Sequence, residues 1–162
     1  MDELRNTQDA GELVQYIVIK LGDEQYGIDI KYIDNIVRMQ QITRVPKVEH
    51  FLKGVINIRG EIVPVMSLRL KMGIKEDEIT SKSRIIILRL ESGDLIGIIV
   101  DQVNQVLTLS TSDVEKVRYD DKNQKAGNSF ISGVGKYEGG LVSILDPSTL
   151  ELDTKDKKDK KD

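Results

Sequence analysis

The sequence predicts an all-β fold made of two copies of one small unit, and three observations carry that prediction. The apolar mass of the 162-residue chain comes mainly from Ile, Val and Leu, and aromatic residues make up only 4%. Stiff β-branched side chains of this kind suit a pleated sheet. Short β-rich runs alternate with turn signals, which points to a sandwich or barrel. The same series of motifs then occurs twice along the chain.

Taken in order, Met1 to Gly11 is polar and aperiodic, and residues 1–12 are read as a disordered N-terminus. Residues 14–21 (VQYIVIKL) predict a first strand, and Gly22-Asp23-Glu24 a hairpin turn into a second at 25–30. Strands at 54–58 and 61–66 flank the tight turn Arg59-Gly60. Strands at 84–90 and 95–100 flank Glu91-Ser92-Gly93-Asp94. Residues 103–109, 130–137 and 141–145 complete the set, with Gly139-Gly140 suited to a hairpin turn. Helical periodicity is scarce, so only short helical turns are expected, near 31–35, 48–52 and 112–114. The terminal TKDKKDKKD has nothing to bury, and its aspartates cancel most of the lysine charge. Residues 153–162 are therefore read as a solvated tail.

The duplication is explicit. Residues 17–21 (IVIKL) align with 86–90 (IILRL), and 26–30 (YGIDI) with 96–100 (IGIIV). Ile33, Ile36 and Val37 then match Val103, Val106 and Leu107. Residues 51–55 (FLKGV) match 130–134 (FISGV), and Gly60, Ile62, Val63 and Val65 match Gly139, Leu141, Val142 and Ile144. A unit of roughly 65 residues is marginal as a lone core, so two copies packed together are expected, with a groove between them. The copies diverge at their turns: Arg59 corresponds to Glu138 and Pro64 to Ser143. The fold is thus shared by both halves, while the binding chemistry is expected to differ.

Composition excludes several classes. The net charge is −3, which leaves no basic footprint for nucleic acid. There are seven Tyr and Phe residues and no Trp, too few for a base-stacking face. With no cysteine and a single histidine, His50, neither disulfides nor a zinc site has support. The chain has no nucleophile elbow, no phosphate loop and no EF-hand spacing. No catalytic residue, metal ligand or cofactor is assigned. No apolar run approaches a membrane span or signal peptide, so the expectation is a cytoplasmic protein without direct membrane contact. Arg59 stands out, because a turn-placed guanidinium offers five donors in a planar fork. It either serves a partner's carboxylate or carbonyls, or pins its own turn by an internal salt bridge. Ile33, Ile36, Ile85, Val103 and Val106 read as core or as lining of the groove.

Residues 51–65 (FLKGVINIRGEIVPV) closely resemble the signature of the CheW family of chemotaxis coupling proteins, G-x-x-N-L-R-G before an apolar-Pro-apolar strand. Residues 22–30 resemble that family's first hairpin, residues 100–107 (VDQVNQVL) its V-D-x-V-x-x-V-L stretch, and residues 130–135 its final hairpin entry. The resemblance spans about residues 15–152. It implies two SH3-like five-stranded β-barrels, approximately 13–80 and 81–152 with terminal strands free to cross, within one CheW-like domain at 13–152.

The resemblance also implies a role: a non-enzymatic adaptor recruited to membrane-anchored receptor arrays. It would bind the regulatory domain of the histidine kinase CheA and the cytoplasmic tip of chemoreceptors. Carried over, Ile33, Arg59, Ile85, Val100, Val103 and Val106 would lie at or near the receptor face, suiting a helix in a groove. The kinase contact would use Asn35, Ile36 and Arg38 on the first barrel, with Glu115 and Tyr119 on the second. Asn35 stands where the family commonly has an acid, which weakens a charge-based account of that contact.

Overall fold

The computed structural model describes residues 11–117 and 130–152, so the C-terminal tail and most of the N-terminal segment read as disordered lie outside the described residues. The described residues form eleven strands: β1 (Leu13–Leu21), β2 (Glu24–Asp29), β3 (Ile33–Arg38), β4 (Leu52–Ile58), β5 (Glu61–Ser67), β6 (Arg84–Arg89), β7 (Leu95–Val100), β8 (Gln102–Ser110), β9 (Val114–Lys116), β10 (Ile131–Tyr137) and β11 (Gly140–Leu145). A single α-helical turn, α1 (Leu68–Lys71), follows β5.

Where helical turns were expected near 31–35 and 112–114, the chain makes only three-residue 3-10 turns, Ile30–Tyr32 and Thr111–Asp113. Asp29 and Ser110 start them by accepting the N–H groups of Lys31 and Ser112. Sheet pairing then draws the following residues into β3 and β9, tertiary partners overriding the local turn preference. Residues 48–52 form a hydrogen-bonded turn, Leu52 N–H to Glu49 O at 3.0 Å, rather than a helix. α1 had no signal in the periodicity and is held by Ser67, whose hydroxyl accepts the Leu70 N–H. Glu12, assigned to the disordered N-terminus, extends the β1–β8 ladder: its carbonyl accepts the Thr111 N–H at 2.8 Å.

The strands form two sheets, ordered β8-β1-β2-β11-β10-β9 and β3-β6-β7-β5-β4. With each strand replaced by its sequence duplicate, the second order reproduces the first, and β9 is the only addition. The register agrees as well. Ile33 faces Leu88 where Val103 faces Ile19, and both pairings carry a bulge at the next step. The parallel contact Val65–Gly97 repeats as Ile144–Gly27. Even β9 has a counterpart: Glu115 faces Val134, and an isolated bridge joins Thr43 to Val55.

Chain order does not divide the sheets at residue 80. β1 and β2 of the first copy sit with β8 to β11 of the second, while β6 and β7 complete the sheet of β3 to β5. Link length forces this exchange. Both β7 and β3 run antiparallel to β6. If β8 took its duplicate's place beside β6, it would run parallel to β7 and start at the far end of it. β7 has six residues, a span of about 20 Å. Only Asp101 separates it from β8, and two Cα steps reach at most about 7.6 Å. The chain therefore steps directly into the other sheet.

Three apolar clusters result. Ile85 and Ile87 of β6 point into a cluster with Ile56, Val63, Val65 and Ile99, inside the five-stranded sheet. Tyr16 and Val18 of β1 do the same with Leu109, Val142 and Ile144 in the six-stranded sheet. The alternate residues Ile19, Leu21, Ile86 and Leu88 face the central core between the sheets. β1 and β6 are thus buried on both faces, which explains why their sequences read as nearly continuous apolar runs. Among the described residues, no strand pairing joins β8 to β9 or β3 to β4, so these four remain sheet edges.

Candidate functional site

The strands flanking the central core position the residues singled out from the sequence. Ile33 and Ile36 on edge strand β3, and Val103 on edge strand β8, are half-buried and pack against that core. Val106 on β8 is 54% exposed. Ile85 and Val100 differ. Both are fully buried, Ile85 inside the five-stranded sheet and Val100 in the central core. Neither can touch a partner directly, so both leave the set of contact residues. Period-2 alternation could not reveal this, because β6 and β7 are buried on both faces.

Arg59 and Gly60 make the two-residue turn between β4 and β5, with φ of 49° and 86°. Positive φ at both central positions is the turn that matches strand twist. The Asn57 side chain accepts the Gly60 N–H at 2.9 Å and holds it. A non-glycine residue in this region costs about 1–3 kcal/mol. What the position gains from arginine lies in its side chain. Arg59 Nη2 lies 3.3 Å from Asp34 Oδ2, and Arg89 Nη2 lies 3.3 Å from Asp34 Oδ1. Arg89 also donates to the Gly93 carbonyl.

One carboxylate on β3 thus gathers two guanidinium groups. The Arg59 side chain is 72% exposed, so its pairing with Asp34 contributes little stability. The pair orients the guanidinium while leaving donors free to the outside. Arg59 is thus tied to Asp34 while its side chain stays exposed. Asp34 and Arg89 were not singled out from the sequence, because nothing in their spacing marks them. Only the β3–β6 pairing brings them together.

Asn35 is half-buried, and its Oδ1 accepts the N–H of Ile36 at 2.8 Å beside the bulge. It serves the strand's geometry, and the neighbouring acid, Asp34, is engaged by Arg59 and Arg89. Arg38 is exposed at the end of β3 and Glu115 is exposed on β9. These residues occupy different sheets. Tyr119 lies outside the described residues.

Two further polar ties join the sheets. The Arg69 guanidinium donates to Asp101 from Nε at 2.8 Å and from Nη2 at 2.5 Å, and Asp101 also accepts the Gly22 N–H at 2.8 Å. The hydrogen bonds from Arg69 hold the Asp101 carboxyl below the usual carboxylate range. The second tie, Tyr32 hydroxyl to Glu91 at 3.2 Å, fastens the β6–β7 turn as Asp101 fastens the β1–β2 turn. Asp77 accepts the hydroxyl of fully buried Ser67, and its other oxygen is buried with no partner among the described residues. Burial pushes the Asp77 carboxyl above its ordinary value, against the lowering effect of Ser67.

His50 is exposed, with its ring edge-on to Phe51 at 5.8 Å. It lines a cavity of about 610 Å³ with Met39, Ile42, Arg44, Asp77 and Ile79. No nucleophile hydrogen-bonds to it there among the described residues.

Comparison with known proteins agrees with this geometry. A family model described as CheW-like domain matches residues 15–153. The chemotaxis protein CheW of Klebsiella aerogenes is 39% identical over 147 residues, covering 87% of this chain and 84% of the relative. That of Bacillus subtilis is 35% identical over 134 residues, covering 83% and 84%. The crystal structure of scaffolding protein TtCheW from Thermoanaerobacter tengcongensis aligns with a TM-score of 0.76 at 30% identity, covering 83% of this chain and 90% of that one.

Proposed function

The chain belongs to the CheW-like domain family, and from that premise we propose that it is a non-enzymatic chemotaxis adaptor coupling chemoreceptors to the histidine kinase CheA. The observation that carries the reading is the match of residues 15–153 to the CheW-like domain, together with relatives named for chemotaxis and a similar structure described as a scaffolding protein. The proposed partners are the CheA regulatory domain and the cytoplasmic hairpin tip of chemoreceptors, with the protein cytoplasmic and recruited to receptor arrays.

The geometry supports a division of labour. Ile33, Val103 and Val106 offer an apolar strip at the rim of the central core, and Arg59 offers directed donors nearby on β4–β5. A receptor helix with an apolar face and a carboxylate or free carbonyl fits that combination. Asn35, Ile36 and Arg38 on β3 and Glu115 on β9, together with Tyr119, form the proposed kinase contacts. Signalling interfaces of this kind often sit near micromolar affinity, and avidity in an array raises the effective strength.

The experiment is titration calorimetry of the full chain against the isolated CheA regulatory domain, then against a receptor hairpin with wild type and Arg59→Glu. Saturable one-to-one binding to the kinase domain, with hairpin binding weakened by Arg59→Glu, is the expected result. No heat at high micromolar concentration, with both proteins folded, would remove the kinase as partner. If Arg59→Glu lost thermal stability in proportion to binding, the arginine would be structural only.

A further inference from the structure

Four strands end the two sheets, and three of them carry charge: Asp34 and Arg38 on β3, Lys53 on β4, Glu115 and Lys116 on β9. The fourth, β8, has nine residues, QVNQVLTLS, without charge, proline or glycine. The neutral run continues from residue 102 through 112 in a chain that is 31% charged. Charges, prolines and bulges are the usual means of keeping an edge strand unpaired. β8 has one bulge, near its start opposite Val18 and Ile19, and nothing beyond it.

The edge is open in its backbone. Thr111 N–H donates to Glu12 O, and the register continues through Leu13–Ser110, Val14–Leu109 and Gln15–Thr108. Alternate pairs of an antiparallel ladder exchange hydrogen bonds. Leu109, Leu107 and Gln105 therefore direct their N–H and C=O groups at β1. Ser110, Thr108 and Val106 direct theirs away from the sheet, where no backbone bond meets them among the described residues. The adjoining face is neutral too. Leu13, Gln15 and Ile17 of β1 stand opposite Ser110, Thr108 and Val106, with Leu13 76% and Val106 54% exposed.

We propose that β8 pairs with β8 of a second copy of this chain, antiparallel across a two-fold axis, joining two six-stranded sheets through their neutral edges. The second copy is the occupant this surface fits. An antiparallel pair of identical strands is two-fold by construction, so each copy supplies the same surface to the other. Antiparallel self-pairing sets residues equidistant from the axis opposite one another, and like charges that meet there are destabilising. β8 carries no charge and so meets no like-charge pair in any register, whereas β3, β4 and β9 each bring charges that restrict the registers open to them. The dimer covers Val106, so it and a receptor helix exclude each other. That last consequence rests on the proposed function, whereas the pairing itself does not.

The test is sedimentation velocity of the full chain over a concentration series, with wild type, Val106→Lys and Thr108→Pro. Lysine sets a charge on the neutral edge, and proline removes one outward N–H at an edge position that tolerates it. The wild type is expected to move from monomer toward dimer as concentration rises, and both variants are expected to stay monomeric with unchanged melting. Amide exchange followed by NMR gives a second reading. Protection of Val106, Thr108 and Ser110 should rise with concentration, while Leu107 and Leu109, already paired, should not change. A wild type that stays monomeric to millimolar concentration overturns the proposal. So does a dimer that survives both substitutions, or concentration-dependent protection that falls on β3. Neither CheA nor receptor enters the assay, so its failure leaves the adaptor reading untouched.

Discussion

Replacing Asp101 with alanine cuts the tie between the sheets at its most connected atom pair. The carboxylate accepts two bonds from Arg69, at 2.8 and 2.5 Å, and one from the Gly22 N–H at 2.8 Å. These hold α1, the β1–β2 turn and the crossing from β7 to β8 at one point. Hydrogen bonds to charged groups contribute about 1.5–3 kcal/mol each when well shielded. Here the side chains are 15% and 25% exposed, so the bonds are partly screened and share one desolvation cost. A total loss of about 2–3 kcal/mol is the reasonable sum. For a domain of this length that lowers Tm by roughly 5–10 °C. Denaturant unfolding measures the loss, and a double-mutant cycle with Arg69→Met should return a coupling of at least ~1 kcal/mol.

The pH dependence supplies an independent check. Arg69 lowers the folded-state pKa of Asp101 below its unfolded value. The stabilisation is therefore fully present above the unfolded carboxylate value of about 4, and it is lost as pH falls through the folded value. The gap between wild type and Asp101→Ala should stay constant from neutral pH down to about 5 and close in stronger acid. A variant within ~0.5 kcal/mol of wild type at pH 7, the ordinary surface range, would refute the clamp. So would a gap that does not narrow in acid.

Asp77 should behave oppositely. Burial raises its folded-state pKa, so its contribution is present below the unfolded value and lost as pH rises through the folded one. Asp77→Asn keeps an acceptor for Ser67, and its advantage in Tm over wild type should widen between pH 3 and pH 7. Ile85→Ala should cost about 2–5 kcal/mol by opening a cavity. By contrast, exposed Val106→Ala should stay within ~0.5 kcal/mol and register only in binding. Urea unfolding separates the two. Arg59→Gly relaxes the positive φ and loses only an exposed ion pair, so its melting should match or exceed wild type while receptor-hairpin affinity falls.

The strands were largely legible because their local signals agree with their tertiary setting. Leu95–Val100 is a strand with the limits its β-branched run and flanking turn indicate. The helical turns expected near 31–35 and 112–114 are three-residue 3-10 turns started by Asp29 and Ser110, and only sheet partners show that the chain then passes into β3 and β9. Within the site, Arg59 could be found from its place in a tight turn. Asp34 and Arg89 could not, since they lie 55 residues apart and meet only across β3 and β6. Ile85 and Val106 looked equivalent as apolar strand residues, yet one is fully buried and the other mostly open.

By itself, the sequence determined that there are two homologous β units and which residues match between them. It determined the all-β class as well, because β-branched runs and turn residues act locally. Only the tertiary structure decided which copy each hairpin completes. Duplicated strands present nearly the same edges and the same apolar alternation, so pairing within a copy and pairing between copies are close to equal in side-chain terms. The choice falls to chain geometry: a single residue, Asp101, cannot carry the backbone back along β7, so β8 must join the other sheet.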